Sequence, residues 1–322
     1  LELGSSTGAM MNNVGKVKNT GVEISLSTVN VQTKNFYWST TFSFAKNKNE
    51  ILELNGGKED LIANKWFIGQ PIDVIYDYEY AGVCTAEEAK AYATNDAIKT
   101  KFIEGEMKLK DQQQPGEEGY GVIDENDLVV LGHALPKWTG SVTSNMTYKN
   151  FDFSFSIYTK QGGMVESPFM AEFTNYKDRG RNKLKMDYYI PAGTPVLNAD
   201  GSGYTLTTEA HMGAYPYPTN TANNNYGGGI GWGTDKQTTY VGNSYVNNSF
   251  VKIKNITLGY TFPKSWMSKI GVDHLRLYVN VLNPFTFTSY KGFDPEWAEA
   301  ALNDGTGGPS SRTYQVGVNL KF

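Results

Sequence analysis

The chain has 322 residues and a formal net charge of −4, with 29 Lys and Arg against 33 Asp and Glu. That balance excludes the basic excess that nucleic-acid binding demands, and no apolar run approaches the roughly 18 residues of a membrane-spanning helix. A single cysteine, Cys84, excludes an internal disulfide. Aromatic residues make 13% of the chain, with 21 Tyr and 16 Phe beside 34 Gly, a mixture that favours strands and turns.

The opening "LELGSSTGAMMNN" has no basic n-region and no apolar h-region, so it predicts no signal peptide. From residue 21 the chain takes up period two. In "GVEISLST" Val22, Ile24 and Leu26 oppose Glu23, Ser25 and Ser27; in "FYWSTTFSFA" Phe36, Trp38, Phe42 and Phe44 share one face. Residues 46–137 then read as a long link. It contains "TAEEAKAYAT", a short helix opened by Thr85 with Glu88 three residues on, the spacing of a capping box. "SVTSNMTY" and "FDFSFSIY" alternate again, and a second long link, 160–249, is rich in Gly, Asn, Tyr and Pro. "NITLGYTF", "HLRLYVNV" and the closing "SRTYQVGVNLKF" alternate in turn, with a third link at about 290–311 between the last two. The predicted strands are 21–28, 36–45, 141–148, 151–158, 250–262, 274–286 and 313–322.

Alternation fits a sandwich with one face in a core. It also fits a membrane barrel with one face in lipid and the other in a wet lumen. Two signals favour the barrel. Aromatic residues sit at the strand ends (Phe36 and Trp38, Tyr148 and Phe151, Tyr260 and Phe262, Tyr314 and Phe322), as interface girdles require. The links alternate short and long, as an up-and-down barrel wall demands and a Greek-key sandwich does not. About seven membrane strands is an odd number and below the eight of the smallest such barrels, so the chain is expected to supply only part of a larger wall. With the short turns in the periplasm, the last strand ends at the periplasmic face and residue 1 lies outside the cell. The alternative is a secreted β-sandwich module for glycan binding or adhesion.

Several stretches, in order and spacing that span nearly the whole chain, carry a family resemblance. They are "VGKVKNTGVEISL", "FSFAKNKNEILEL", "IDENDLVVLGHALPKWTGSVTSNMTYKNFDFSF", "SFVKIKNITLGYTFP", "LRLYVNVLNPFTFTSYKGFDPE" and "SRTYQVGVNLKF". Together they resemble the C-terminal portion of SusC/RagA-type TonB-dependent transporters of the Bacteroidota outer membrane. The resemblance implies an all-β fold, the C-terminal part of a 22-stranded antiparallel transmembrane barrel with long extracellular loops. It implies a plug domain, coupling to TonB, and import of oligosaccharides or peptides under a SusD-like surface lipoprotein lid. It implies contact with outer-membrane lipid and, among its assemblies, a dimer of SusC–SusD pairs. No TonB box, plug domain or amino-terminal carboxypeptidase-like domain is recognisable here, so the plug and the N-terminal part of the barrel are expected on sequence outside this chain.

The same family often carries a calcium-like loop, D-x-N-x-D-G-x-I-x-x-x-D. This chain keeps Gly121, Ile123 and Asp127, places Gly116, Glu118 and Tyr120 where the first ligands belong, and has Asp111 displaced by an insertion. Calcium takes six to eight oxygens, so a turn followed by a short strand is the preferred reading, with no metal and no cofactor expected.

Catalytic signals are absent from the sequence. His133, His211 and His274 lack metal-ligand spacing, and neither G-x-S-x-G nor a P-loop occurs; no enzyme is expected. The pairs Glu87/Glu88 and Asp294/Glu296 could be read as acid/base pairs, but two carboxylates close in sequence are more often solvated loop charge, or an N-cap in the helical case; the family resemblance implies that "GFDPEW" is structural or faces the lid. Aromatics of the long links are the candidates for contact with substrate or lid: Trp66, Tyr76, Tyr78, Tyr215, Tyr217, Trp232 and Trp297. Self-packing of large loops would account for each of them equally well. His274 and Arg276 alternate with Leu275 and Leu277 and are expected in the lumen. Phe322, aromatic at the end of an alternating strand, resembles the signal read by the outer-membrane insertion machinery, and it also suits an interface belt.

Overall fold

The computed structural model describes residues 15–97, 102–105, 107–167, 169, 185–216, 245–298 and 308–322. Fifteen strands occur among them: β1 (Gly15–Gln32), β2 (Phe36–Leu54), β3 (Val74–Tyr78), β4 (Tyr80–Val83), β5 (Met107–Leu109), β6 (Leu128–His133), β7 (Trp138–Tyr148), β8 (Phe151–Gln161), β9 (Met164–Glu166), β10 (Pro195–Leu197), β11 (Tyr204–Leu206), β12 (Tyr245–Asn247), β13 (Phe250–Thr261), β14 (His274–Thr288) and β15 (Thr313–Lys321). Seven of these, in the order β1-β2-β7-β8-β13-β14-β15, form one sheet. Every neighbouring pair is antiparallel. They are the seven strands expected from alternation, in up-and-down order.

Directly paired residues of an antiparallel sheet share a face, so the register sorts the two sides of the wall. One row crosses all seven strands as Val31, Trp38, Met146, Phe153, Leu258, Val279 and Val316. The row on the other face crosses six as Ser39, Asn145, Ser154, Thr257, Asn280 and Gln315. The apolar face is not covered: Ile24, Leu26, Leu258, Val279, Val316 and Val318 are all exposed. A sandwich strand buries that face against a second sheet; here no other described sheet lies over it, since the remaining sheets are two-stranded ribbons of the links. One polar residue on the apolar side, Ser144, is 2% exposed because Trp38 lies over it and donates its indole N–H to Ser144 Oγ at 2.8 Å. The hydroxyl is thereby hidden and satisfied, worth about 0.5–1.5 kcal/mol.

Two departures from plain alternation have sequence causes. β2 runs nine residues past the expected end at 45, pairing with β1 as far as Gly15↔Leu54. Its extension "KNKNEILEL" begins with five consecutive polar residues and carries no period-two signal, because its buried residues, Asn49, Ile51 and Leu54, are covered by the first long link, where Ile51 exchanges backbone hydrogen bonds with Gly69 and Gln70. In "VKIKNITLGY" the apolar phase slips between Ile253 and Ile256, and the ladder answers with a bulge at Lys254. Opposite it, β14 carries Asn283 at φ 49 followed by Pro284, which has no N–H to contribute and is tolerated inside a sheet at such irregularities.

The short links are tight, residues 33–35 and 149–150, or compact, with a four-residue helix at Lys264–Met267. The long links 55–137, 162–249 and 289–312 carry the ribbons β3–β6, β4–β5, β9–β12 and β10–β11. The predicted helix is present as α1 (Ala86–Thr94), with Thr85 and Glu88 forming the capping box. No described helix is long and apolar enough to cross a membrane, which says nothing of strands.

Candidate functional site

The long links meet at one end of the wall. Val165, Phe169, Tyr290 and Ala298 form a buried apolar cluster with Met186, Tyr215 and Val246 against it. Ser167 Oγ and Tyr290 Oη lie 2.9 Å apart, both buried, and the Phe169 and Phe293 rings are 4.5 Å apart. The links 162–249 and 289–312 are thus packed together. The first link joins them through the hydrogen bond from Tyr245 Oη to Asp77 Oδ2. Tyr245 in turn pairs with Glu166 across β9–β12, where burial, reinforced by Asp77, pushes the Glu166 carboxyl above its ordinary value.

Below this junction, Lys252 projects from the polar face of β13 and is 0% exposed. Its Nζ lies 3.0 and 2.8 Å from the two oxygens of Asp294 and also donates to Glu296. Lys254, the bulge residue, reaches the other Glu296 oxygen at 2.5 Å. The Asp294 side chain caps the turn Pro295–Trp297 by accepting from Glu296 N at 2.9 Å and accepts from Ser310 Oγ. Burial alone would raise the Asp294 carboxyl, but the hydrogen bonds from Lys252, Ser310 and Glu296 N hold it below its ordinary value. Glu296 is likewise held low against its burial by the two lysines. Solvated loop charge does not describe these contacts, and a structural role for "GFDPEW" does.

The 55–137 link folds around α1. Lys108 reaches Glu88 at 2.5 Å, and the Tyr92 and Phe102 rings are 5.2 Å apart. The degenerate calcium-like loop closes in a way the spacing did not suggest. Asp111 is not displaced in space: its Oδ2 accepts from Gly121 N at 2.6 Å. The insertion folds out through turns at Gly116, Gly119 and Gly121, all at positive φ. Asp127, fully buried, accepts from Gln112 N at 2.7 Å and Asp124 N at 2.8 Å. In the orientation that satisfies both its ends, the Gln113 amide donates to Asp127 Oδ1 at 3.0 Å and Asp111 Oδ1 at 2.9 Å. A neutral amide therefore stands between the two carboxylates. Among the described residues, no group of three or more His, Cys, Asp and Glu side chains could hold a metal ion.

The aromatic candidates are distributed over the links. Trp66 bridges Leu61 in a tight turn; Tyr76 packs on Phe67 with rings 4.7 Å apart; Tyr78 packs on the buried Met107 and Leu109. Tyr215 meets Tyr188 edge-on at 6.1 Å. Each of these four is half-buried, and their partners are neighbouring loop residues. Trp297 differs in being 53% exposed. Tyr217 and Trp232 lie outside the described residues. An exposed pair that spacing could not reveal is His211 Nε2 with Asp187 Oδ1 at 2.7 Å, 24 residues apart; this hydrogen bond holds the Asp187 carboxyl below its ordinary value.

On the polar face near the short-turn end, Arg276 forks onto Asp152 with Nε at 2.9 Å and Nη2 at 2.5 Å, and its guanidinium lies over the Tyr278 ring at 4.8 Å. His274 opposes Lys321 in register. Both lumen candidates are therefore on the polar side of the wall. Phe322 follows β15 and is 84% exposed.

No family model matches the chain. It is 29% identical over 347 residues to the TonB-dependent receptor P3 of Formosa agariphila, covering 99% of this chain and 30% of the relative. With the TonB-dependent receptor SusC of Bacteroides thetaiotaomicron the identity is 27% over 321 residues, covering 97% and 27%. Among solved structures, a chain of the RagAB peptide transporter shares the fold with TM-score 0.63 at 23% identity, over 96% of this chain and 30% of that one. The chain thus spans about 30% of the length of the curated relatives it matches. Those relatives are outer-membrane receptors and not enzymes, and the chain takes the same location. By sequence along nearly its whole length, and by fold, it matches the C-terminal portion of a SusC/RagA-like TonB-dependent receptor.

Proposed function

We propose that the chain forms seven strands of the wall, and the outer loops, of a 22-stranded TonB-dependent importer that takes up oligosaccharides or peptides. The observation that carries this reading is the wall itself. An uncovered apolar row crosses all seven strands, with a hydrogen-bonding polar row behind it. A strand needs about 9–11 residues to cross the hydrocarbon, and β15 has 9, β7 and β8 have 11, and β13 has 12. Long links then face outward and short turns the periplasm, as in outer-membrane barrels. The two edges of the sheet, β1 and β15, would pair with strands of the remaining barrel. A plug domain and its coupling to TonB would come from that same remainder, and a SusD-like lipoprotein would close over the long loops, with Trp297 as the leading contact residue. Arg276 and His274 would line the lumen, and Phe322 would act in barrel insertion.

The test is the native mass and partner content of the detergent-extracted protein. Co-migration with a plug-bearing barrel portion and a surface lipoprotein is the expected result. A folded, water-soluble monomer of this chain would return the reading to an isolated sheet protein, with glycan binding the next assay.

A further inference from the structure

Asp294 performs three tasks with one carboxylate. It caps the turn Pro295–Trp297, it accepts from Ser310 at the far side of the same link, and it neutralises a wall lysine that has no exposure to solvent. Glu296 adds a second carboxylate, shared between Lys252 and Lys254. A buried cation is retained only while its counter-charge stays in place, because removing one partner strands the other in a poorly solvated site. The surrounding contacts extend the consequence. Tyr290, four residues before Asp294, is joined to Ser167, and Phe293, beside Asp294, packs with its ring tilted against Phe169. Whatever fixes residues 290–296 also fixes the base of the 162–249 link.

We propose that residues 294–296 are an electrostatic strap: Lys252 and Lys254 of β13 hold residues 290–298 and, through them, residues 164–167 in a single position against the wall, and opening the strap frees the two segments together. All the groups involved belong to this chain. Lys254 can take part because the β13 bulge breaks the alternation at its position. If the chain is an importer wall, the strap links the inner rim of the barrel to its outer loops. That use rests on the proposed function, whereas the strap itself can be tested without it.

The experiment is hydrogen–deuterium exchange on the detergent-extracted protein carrying Lys252→Met, which keeps an unbranched side chain one atom shorter and removes its charge. Exchange at 290–298 and at 164–167 should accelerate together, by about tenfold or more, while amides of β7, β8 and β15 keep their protection. Acceleration confined to 290–298 would overturn the coupling of the two links. Unchanged exchange in both would overturn the strap. If Lys252→Met fails to fold, Glu296→Gln supplies the same comparison, with a smaller acceleration of about threefold expected and no acceleration overturning the proposal. Loss of protection throughout the wall in both variants would show Lys252 to be a general stability residue and would also overturn it. Failure of the importer reading would appear separately, as solubility without detergent.

Discussion

Two glycines show how tightly single residues set the polar face of the wall. A Cβ at Gly317 would meet the Tyr278 ring at 2.2 Å, and one at Gly259 would meet Asp152 Oδ1 at 2.4 Å and Arg276 Nη2 at 2.5 Å. The Asp152–Arg276 fork therefore passes over a strand position kept bare for it, and Tyr278 covers the neighbouring bare position on β15. Gly259→Ala should cost about 1–3 kcal/mol of unfolding stability, the usual penalty for overpacking. The cost should shrink toward zero when Asp152 and Arg276 are first replaced by alanine. Denaturant unfolding of the three variants and the unsubstituted protein checks this, and an undiminished cost in the triple variant would place the strain in the backbone instead. Gln113 makes a related point. A single amide, between Asp111 and Asp127, does with two hydrogen bonds what a cation would do with charge.

The strap of residues 294–296 carries a pH dependence whose sign follows from its carboxyls. Burial opposes ionisation of both Asp294 and Glu296, yet hydrogen bonds from the lysines, with Ser310 on Asp294, leave both below their ordinary values. Lys252 and Lys254 from β13, Tyr158 from β8 and Tyr290 from the link itself are the other titratable groups facing the pair. A depressed carboxyl stabilises above its unfolded value and loses that contribution as pH falls through its folded one. The strap should therefore hold from neutral pH down to about pH 4, the ordinary carboxylate range, and loosen only below it. Proteolysis of the 289–312 link across pH 3–7, with an acid-tolerant protease, checks the window; release already near pH 6 would contradict it. The exposed His211–Asp187 pair, by contrast, is solvated on both sides and is worth little to stability.

For the whole wall, the decisive contrast lies between its two faces. Val316 is 80% exposed on the apolar side, and Gln315 sits beside it in sequence on the polar side, accepting from Asn280 at 2.8 Å. In a membrane barrel, Val316→Arg should cost about 2–4 kcal/mol if it lies near the bilayer midplane. Gln315→Arg should cost less than about 1 kcal/mol, as substitutions at wet surfaces do. Heat-modifiable migration and denaturant titration in detergent would measure both. Equal costs would mean that both faces meet water and that the membrane reading is wrong.

The seven wall strands, their order and the division of their faces were legible in the sequence, because a sheet with one apolar and one polar face imposes a period of two on its strands. The helix after Thr85 was legible for a local reason, since a capping box is complete within four residues. The run of β2 beyond residue 45 was not, because its first five residues are polar and its buried ones, Asn49, Ile51 and Leu54, are covered by a link and not by an alternating wall face. Nor was the return of Asp111 to Gly121, or the burial of Lys252 under Asp294, 42 residues away. Charged residues in a link look alike in sequence whether they are solvated or spent. Which of them are taken out of water depends on where the long links fold back onto the wall, and only the tertiary structure decides that.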